Sequence, residues 1–153
     1  MSKDESAQKT AKLDEHEDHG GLMPSILRSV VQVMTTSDAP DYDQPWQTEG
    51  PDGAVGSGAI IMTARVTRVL TNAHVVGNQV FIEVRRYGQS RKFEAAVESI
   101  GHVCDLALLY IEDPDFAAGA PTLPIGDLPS MGDRVAVLGF PIGGDRLSVS
   151  YTH

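Results

Sequence analysis

Apolar positions in this chain alternate more often than they recur every three or four residues. Residues 79–86 show it best: Val80, Ile82 and Val84 fall on one side, with Gln79, Phe81, Glu83 and Arg85 opposite. A period of two predicts a half-buried strand. β-Branched content predicts further strands over 28–34, 59–63 and 66–71. Tyr87-Gly88-Gln89-Ser90 reads as a hairpin turn, and residues 91–103 as a long return strand with Phe93, Ala95 and Val97 on one face. Residues 105–111 are apolar on both faces, which predicts a strand buried on both sides. Six short strands and few windows of helical period predict an all-β domain, a small antiparallel barrel.

Breaker-rich stretches lie between and around these runs. Residues 35–55 hold Pro40, Pro45, Pro51 and Gly53 and predict an acidic loop. Trp46, the only tryptophan, is placed there either to anchor the loop on the barrel or to offer a ligand platform. Residues 112–131 carry Pro114, Gly119, Pro121, Pro124, Gly126 and Pro129 and predict a connector, followed by a strand over 133–140. Residues 1–22 have almost nothing to bury and predict a disordered acidic tail with at most a fraying helix.

Charge changes this picture only at its edges. The net charge is −9. Residues 1–19 hold six acids against three bases, and residues 38–53 hold five acids and no base, which leaves a balance near −1 for the rest. The barrel is thus close to neutral, while the tail repels nucleic acid and anionic membrane; neither is expected as a partner. No run approaches the eighteen or so apolar residues that cross a bilayer. A single cysteine, Cys104, excludes an intrachain disulfide and fits a reducing compartment. Residues 1–19 lack both a secretory apolar core and the arginine-rich composition of a transit peptide, so cytoplasm or nucleus is the expectation.

The candidate chemistry sits at two strand ends. Thr71-Asn72-Ala73-His74-Val75-Val76 closes the predicted third strand, and Asp105 opens the sixth, 31 positions after His74. Each alone reads as an ordinary loop histidine or turn aspartate. Together they fit a carboxylate that fixes an imidazole tautomer, leaving the other ring nitrogen as a general base toward a hydroxyl. Asn72 reads as a cap of the turn carrying His74. Cys104, near His102, has a nucleophile reading, but nothing electropositive surrounds it and a buried strand cysteine is expected. His16 and His19 flank Glu17-Asp18 with a metal-compatible spacing, but further ligands are lacking and a solvated tail is the simpler reading. Gly53, Gly56 and Gly58 are not followed by the lysine of a phosphate loop; they predict a sharply bent strand. No cofactor and no metal are expected.

Four blocks in order resemble the HtrA/Deg family of trypsin-like serine proteases, in its eukaryotic Deg branch. They are Gly56-Ser57-Gly58-Ala59-Ile60-Ile61, Val69-Leu70-Thr71-Asn72-Ala73-His74-Val75-Val76, Asp105-Leu106-Ala107-Leu108-Leu109, and Gly132-Asp133-Arg134-Val135-Ala136-Val137-Leu138-Gly139-Phe140-Pro141. Gly126-Asp127-Leu128-Pro129 and the run through Ile142-Gly143-Gly144-Asp145 add to the likeness, although Asp127 and Asp145 themselves read as turn residues. The resemblance implies a first barrel over 23–115, an inter-barrel connector over 116–131, and the start of a second barrel over 132–153. It implies His74 and Asp105 as catalytic residues, and Gly143 and Gly144 as part of a loop bordering the active site.

The family's serine lies in a Gly-Asn-Ser-Gly-Gly-type motif after the aspartate. Here the serines beyond Asp105 are Ser130, Ser148 and Ser150, and none is flanked by glycines. The chain therefore carries two members of a triad. The resemblance implies an ATP-independent endopeptidase acting on unfolded or damaged proteins, with homo-oligomers among the family's assemblies, and this chain as an amino-terminal part inactive by itself. Two other readings stay open: a non-catalytic binding module, and a truncated gene product that does not fold stably.

Overall fold

A computed structural model describes residues 22–37, 52–77, 79–141 and 147–151. In chain order the elements are α1 (Leu22–Ser29), β1 (Val30–Ser37), β2 (Asp52–Thr63), β3 (Val66–Thr71), α2 (Ala73–Val76), β4 (Gln79–Arg86), β5 (Lys92–Gly101), β6 (Leu106–Tyr110), α3 (Pro114–Ala117), β7 (Ala136–Gly139) and β8 (Ser148–Tyr151). The first six strands close into a barrel in the order β1-β2-β3-β6-β5-β4, every pairing antiparallel. The expected fold class is the one found.

The barrel closes because alternate residues of every strand turn inward onto one core. Val31, Val33, Ile60, Val69, Val84 and Leu109 are fully enclosed there, joined by Ile82, Phe93 and Ala107. Each such side chain contributes roughly 1.5–3 kcal/mol by leaving water. Val75 and Val76 of α2 belong to the same core, so the turn that carries His74 is anchored on both of its later residues.

Several local expectations needed correction. Residues 22–29 form a helix where a tail and then a strand were predicted; Pro24 is tolerated in its first turn. The predicted loop 35–55 is strand at both ends, since β1 runs to Ser37 and β2 starts at Asp52; Trp46 lies outside the described residues. Val80 shares its predicted face with the buried Ile82 and Val84, yet it is exposed. Thr36 pairs with Phe81 but Ser37 with Gln79, so Val80 is the extra residue of a bulge and swings out. A second irregularity, between Val97 and Ser99, leaves Val97 more than a third exposed. β6 is covered on one face: Ala107 and Leu109 are buried, but Leu106 is exposed. β5 ends at Gly101, so residue 104 lies in a turn, and Cys104 is exposed rather than buried in a strand.

The connector is bound to the barrel rather than strung beside it. Asp113 caps α3 through a bond from the Asp115 N–H, and Phe116 is buried with its ring edge-to-face on Phe93 at 5.3 Å. Arg86 donates to the carbonyls of Phe116 and Ala118. Further on, Leu123 N–H donates to Ile60 O at 2.8 Å, beside a parallel bridge to Ile61. The antiparallel pair β7–β8 follows, and its foot is held by Ser57, whose Oγ accepts the Phe140 N–H at 2.7 Å.

Candidate active site

β3 and β6 are neighbours, paired as Val69↔Leu109, Leu70↔Leu108 and Thr71↔Ala107. Two further steps in this register set residue 73 opposite residue 105. The Ala73 N–H does donate to Asp105 O, at 3.2 Å. The register therefore delivers the end of one strand and the start of the other to the same rim. His74 follows at once, in the single turn of α2.

The pairing is close. His74 Nδ1 lies 2.7 Å from Asp105 Oδ2, and the His74 backbone N–H donates to Oδ1 at 2.9 Å. A carboxylate only accepts, so Nδ1 carries the proton of this bond, and in the neutral ring Nε2 is left with the lone pair. Asp105 has φ +52°, in the left-handed region, where aspartate is among the few non-glycine residues found. That turn aims its carboxylate back at α2 instead of along β6.

The Asp105 carboxyl is held below its usual range. The His74 backbone N–H is the main cause, followed by the ring N–H; partial burial works the other way, and the imidazole charge and the Asn72 amide add to the lowering. The pair is open to water, with the His74 side chain 72% and the Asp105 side chain 45% exposed. Among the described residues, the imidazole ring makes no hydrogen bond except that to Asp105.

The structure thus brings His74 and Asp105 together. Gly143 and Gly144 lie outside the described residues. Asn72 occupies the N-cap position of α2 but makes no side-chain cap bond; its amide instead donates to Asp105. Sequence reasoning missed that partner, because nothing in local spacing joins residue 72 to residue 105. Cys104 adjoins the site, but its Sγ turns back to the Gly101 carbonyl at 3.4 Å.

A closed six-stranded barrel with such a pair on one rim has the architecture of the trypsin-like peptidases. A family model for the trypsin-like peptidase domain matches residues 56–153, and the chain belongs to that family, in its HtrA/Deg branch. It is 43% identical over 126 residues to Protease Do-like 2, chloroplastic, of Arabidopsis thaliana, covering 82% of this chain and 20% of that one. Protease Do-like 4, mitochondrial, of the same plant is 40% identical over 124 residues, covering 81% and 23%. The chain therefore spans about a fifth to a quarter of the length of these curated relatives. Among solved structures, the active form of the Rv3671c protease from M. tuberculosis superposes with a TM-score of 0.66 at 26% identity, covering 86% of this chain and 49% of that one.

The relatives overturn the expectation of cytoplasm or nucleus, since their names carry mitochondrial and chloroplastic addresses. That expectation came from the composition of residues 1–19 alone. Organelle import is read from a leader, and the barrel, where the likeness lies, has no part in it.

Proposed function

We propose that the chain supplies the histidine–aspartate part of a serine-type endopeptidase that acts on unfolded or damaged proteins. The observation carrying this reading is the double grip of Asp105 on His74, through the ring Nδ1 and the backbone N–H. In that role His74 Nε2 takes the proton of an attacking serine hydroxyl and returns it to the leaving amine. Asp105 keeps the ring oriented and stabilises the imidazolium that forms. The names of these relatives, proteases with organellar addresses, support an organellar setting.

The same reading makes the 153-residue chain inactive by itself, because no glycine-flanked serine follows Asp105 to act as nucleophile. The test is casein hydrolysis by the purified chain beside its His74→Ala variant. Equal, background rates are expected; hydrolysis that depends on His74 overturns the inactivity. The pairing is tested separately by ring nitrogen NMR, where a protonated Nδ1 at neutral charge is expected and a protonated Nε2 refutes the base assignment.

One observation favours a second reading. Ile125, Leu128, Met131 and Val137 are exposed apolar side chains on the connector and hairpin, available to hold polypeptide without cutting it. Binding of denatured casein that persists unchanged in His74→Ala is the result expected from that module; no binding removes it.

A further inference from the structure

Asn72 plays no part in the proton transfer just described, yet its side chain is committed to the pair. Its amide nitrogen lies 3.2 Å from Asp105 Oδ2 and 3.1 Å from the Asp105 carbonyl oxygen. An asparagine at a helix N-cap ordinarily turns its oxygen onto the N–H groups of its own helix. Asn72 makes no such bond and reaches instead across the rim.

Three consecutive residues converge on Asp105 as a result. Ala73 N–H and the Asn72 amide take its carbonyl oxygen. His74 N–H takes Oδ1, while the His74 ring and the Asn72 amide share Oδ2. The first two bonds hold a backbone at φ +52°, a left-handed conformation that is costly for an L-residue. The others restrict the carboxylate torsion, which is broad and two-fold when unrestrained.

We infer that Asn72 is a positioning residue, whose amide fixes the Asp105 turn and carboxylate so that Oδ2 meets His74 Nδ1. The inference rests on the reading of His74 and Asp105 as an acid–base pair. It goes beyond that reading by assigning their orientation to a third side chain. All of these donors come from residues 72–74, at the end of β3 and the start of α2. The first barrel therefore sets the pair by itself.

The test uses the full 153-residue chain with nitrogen-15 labelling, at about pH 9, where an unperturbed imidazole is neutral. The His74 ring shifts then give the ratio of Nδ1–H to Nε2–H tautomers. In the unaltered chain the Nδ1–H form is expected to dominate. Asn72→Ala should shift the ratio several-fold toward Nε2–H, and Asn72→Leu, which keeps the volume without the donor, should match it. Amide spectra establish that each variant keeps the barrel, and if the alanine variant does not, the leucine variant decides. Asp105→Asn serves as the reference that removes the carboxylate. If Asp105→Asn shifts the ratio and both Asn72 variants stay within twofold of the parent, Asn72 is not a positioning residue and the proposed function survives. If Asp105→Asn also leaves the ratio unchanged, the pair is uncoupled and both conclusions fall.

Discussion

Gly56 offers a direct way to disturb the His74 turn from outside it. A Cβ at this position would stand 2.7 and 2.8 Å from the two Cγ methyls of Val75 and 3.3 Å from its Cβ. Carbon atoms pack at about 3.5–4.0 Å, so the neighbours must separate by roughly 1 Å. Val75 cannot turn aside, because rotating one γ-methyl away brings the other in. It is also buried in the barrel core, with His74 as its chain neighbour. Gly56→Ala is therefore expected to cost about 1–3 kcal/mol, the usual range for overpacking. Each kcal/mol corresponds to about 2–8 °C of melting temperature for domains of this size class.

Urea titrations with an unchanged m-value provide the assay, and Gly53→Ala provides the control. A Cβ at Gly53 meets only Thr35 O, at 3.8 Å, an ordinary contact. That control should be neutral or stabilising by about 0.4–1 kcal/mol through the unfolded state. Val75→Ala alone loses about two methyl groups of burial, near 1.6 kcal/mol. Combined with Gly56→Ala it should cost less than the two single changes together by about 0.5–3 kcal/mol, because the methyls that clash are gone. Indistinguishable melting of Gly56→Ala and Gly53→Ala, or strict additivity of the pair, would refute the claim that this glycine makes room for the His74 turn.

Four further outcomes follow from the contacts described. Leu109→Ala empties a fully enclosed position and should lower stability by about 2–5 kcal/mol, read from the urea midpoint. The Asp105 carboxyl titrates below its unfolded value, so its stabilising contribution is complete above the ordinary carboxylate range of about 3.9 and is lost as pH falls through the lower folded value. Urea midpoints of the parent should therefore fall more steeply than those of Asp105→Asn below about pH 4, and parallel curves would contradict the shift. Arg86→Met strips the Phe116 and Ala118 carbonyls of their donor and should cost about 1–3 kcal/mol, with faster amide exchange over residues 114–120. Ser57→Ala removes the acceptor of the Phe140 N–H, and exchange in β7 and β8 should quicken while the barrel core stays protected.

The barrel was legible because its signal is local. Alternation in β4 and the apolar run of β6 follow from a two-residue period, which a sequence displays directly. What escaped reading depended on contacts between strands. The bulge that expels Val80 exists only in the pairing of β1 with β4, and neither strand shows it alone. β6 reads as apolar throughout, yet its outer face is only partly covered, with Leu106 exposed and Leu108 and Tyr110 partly buried. Helix α1 escaped because eight residues with Pro24 among them carry no cap signal. At the site, residue types and order indicated His74 and Asp105, but neither the left-handed turn at Asp105 nor the diverted Asn72 amide has a signature in one dimension.

The ladder between β3 and β6 rests on only three residue pairs, and its register brings the two strand ends to one rim. Between the two strands the chain runs through β4 and the turn at residues 87–90 into β5, which itself pairs with β6. Lengthening the tip at Tyr87-Gly88-Gln89-Ser90 should thus leave imidazole and carboxylate where they are, since each doubling of a loop costs only about 0.6 kcal/mol. Removing one residue within 66–71 should do the reverse, turning the whole strand over and carrying the histidine off the rim. Distance along the chain is free to drift here, while the ladder's phase is not.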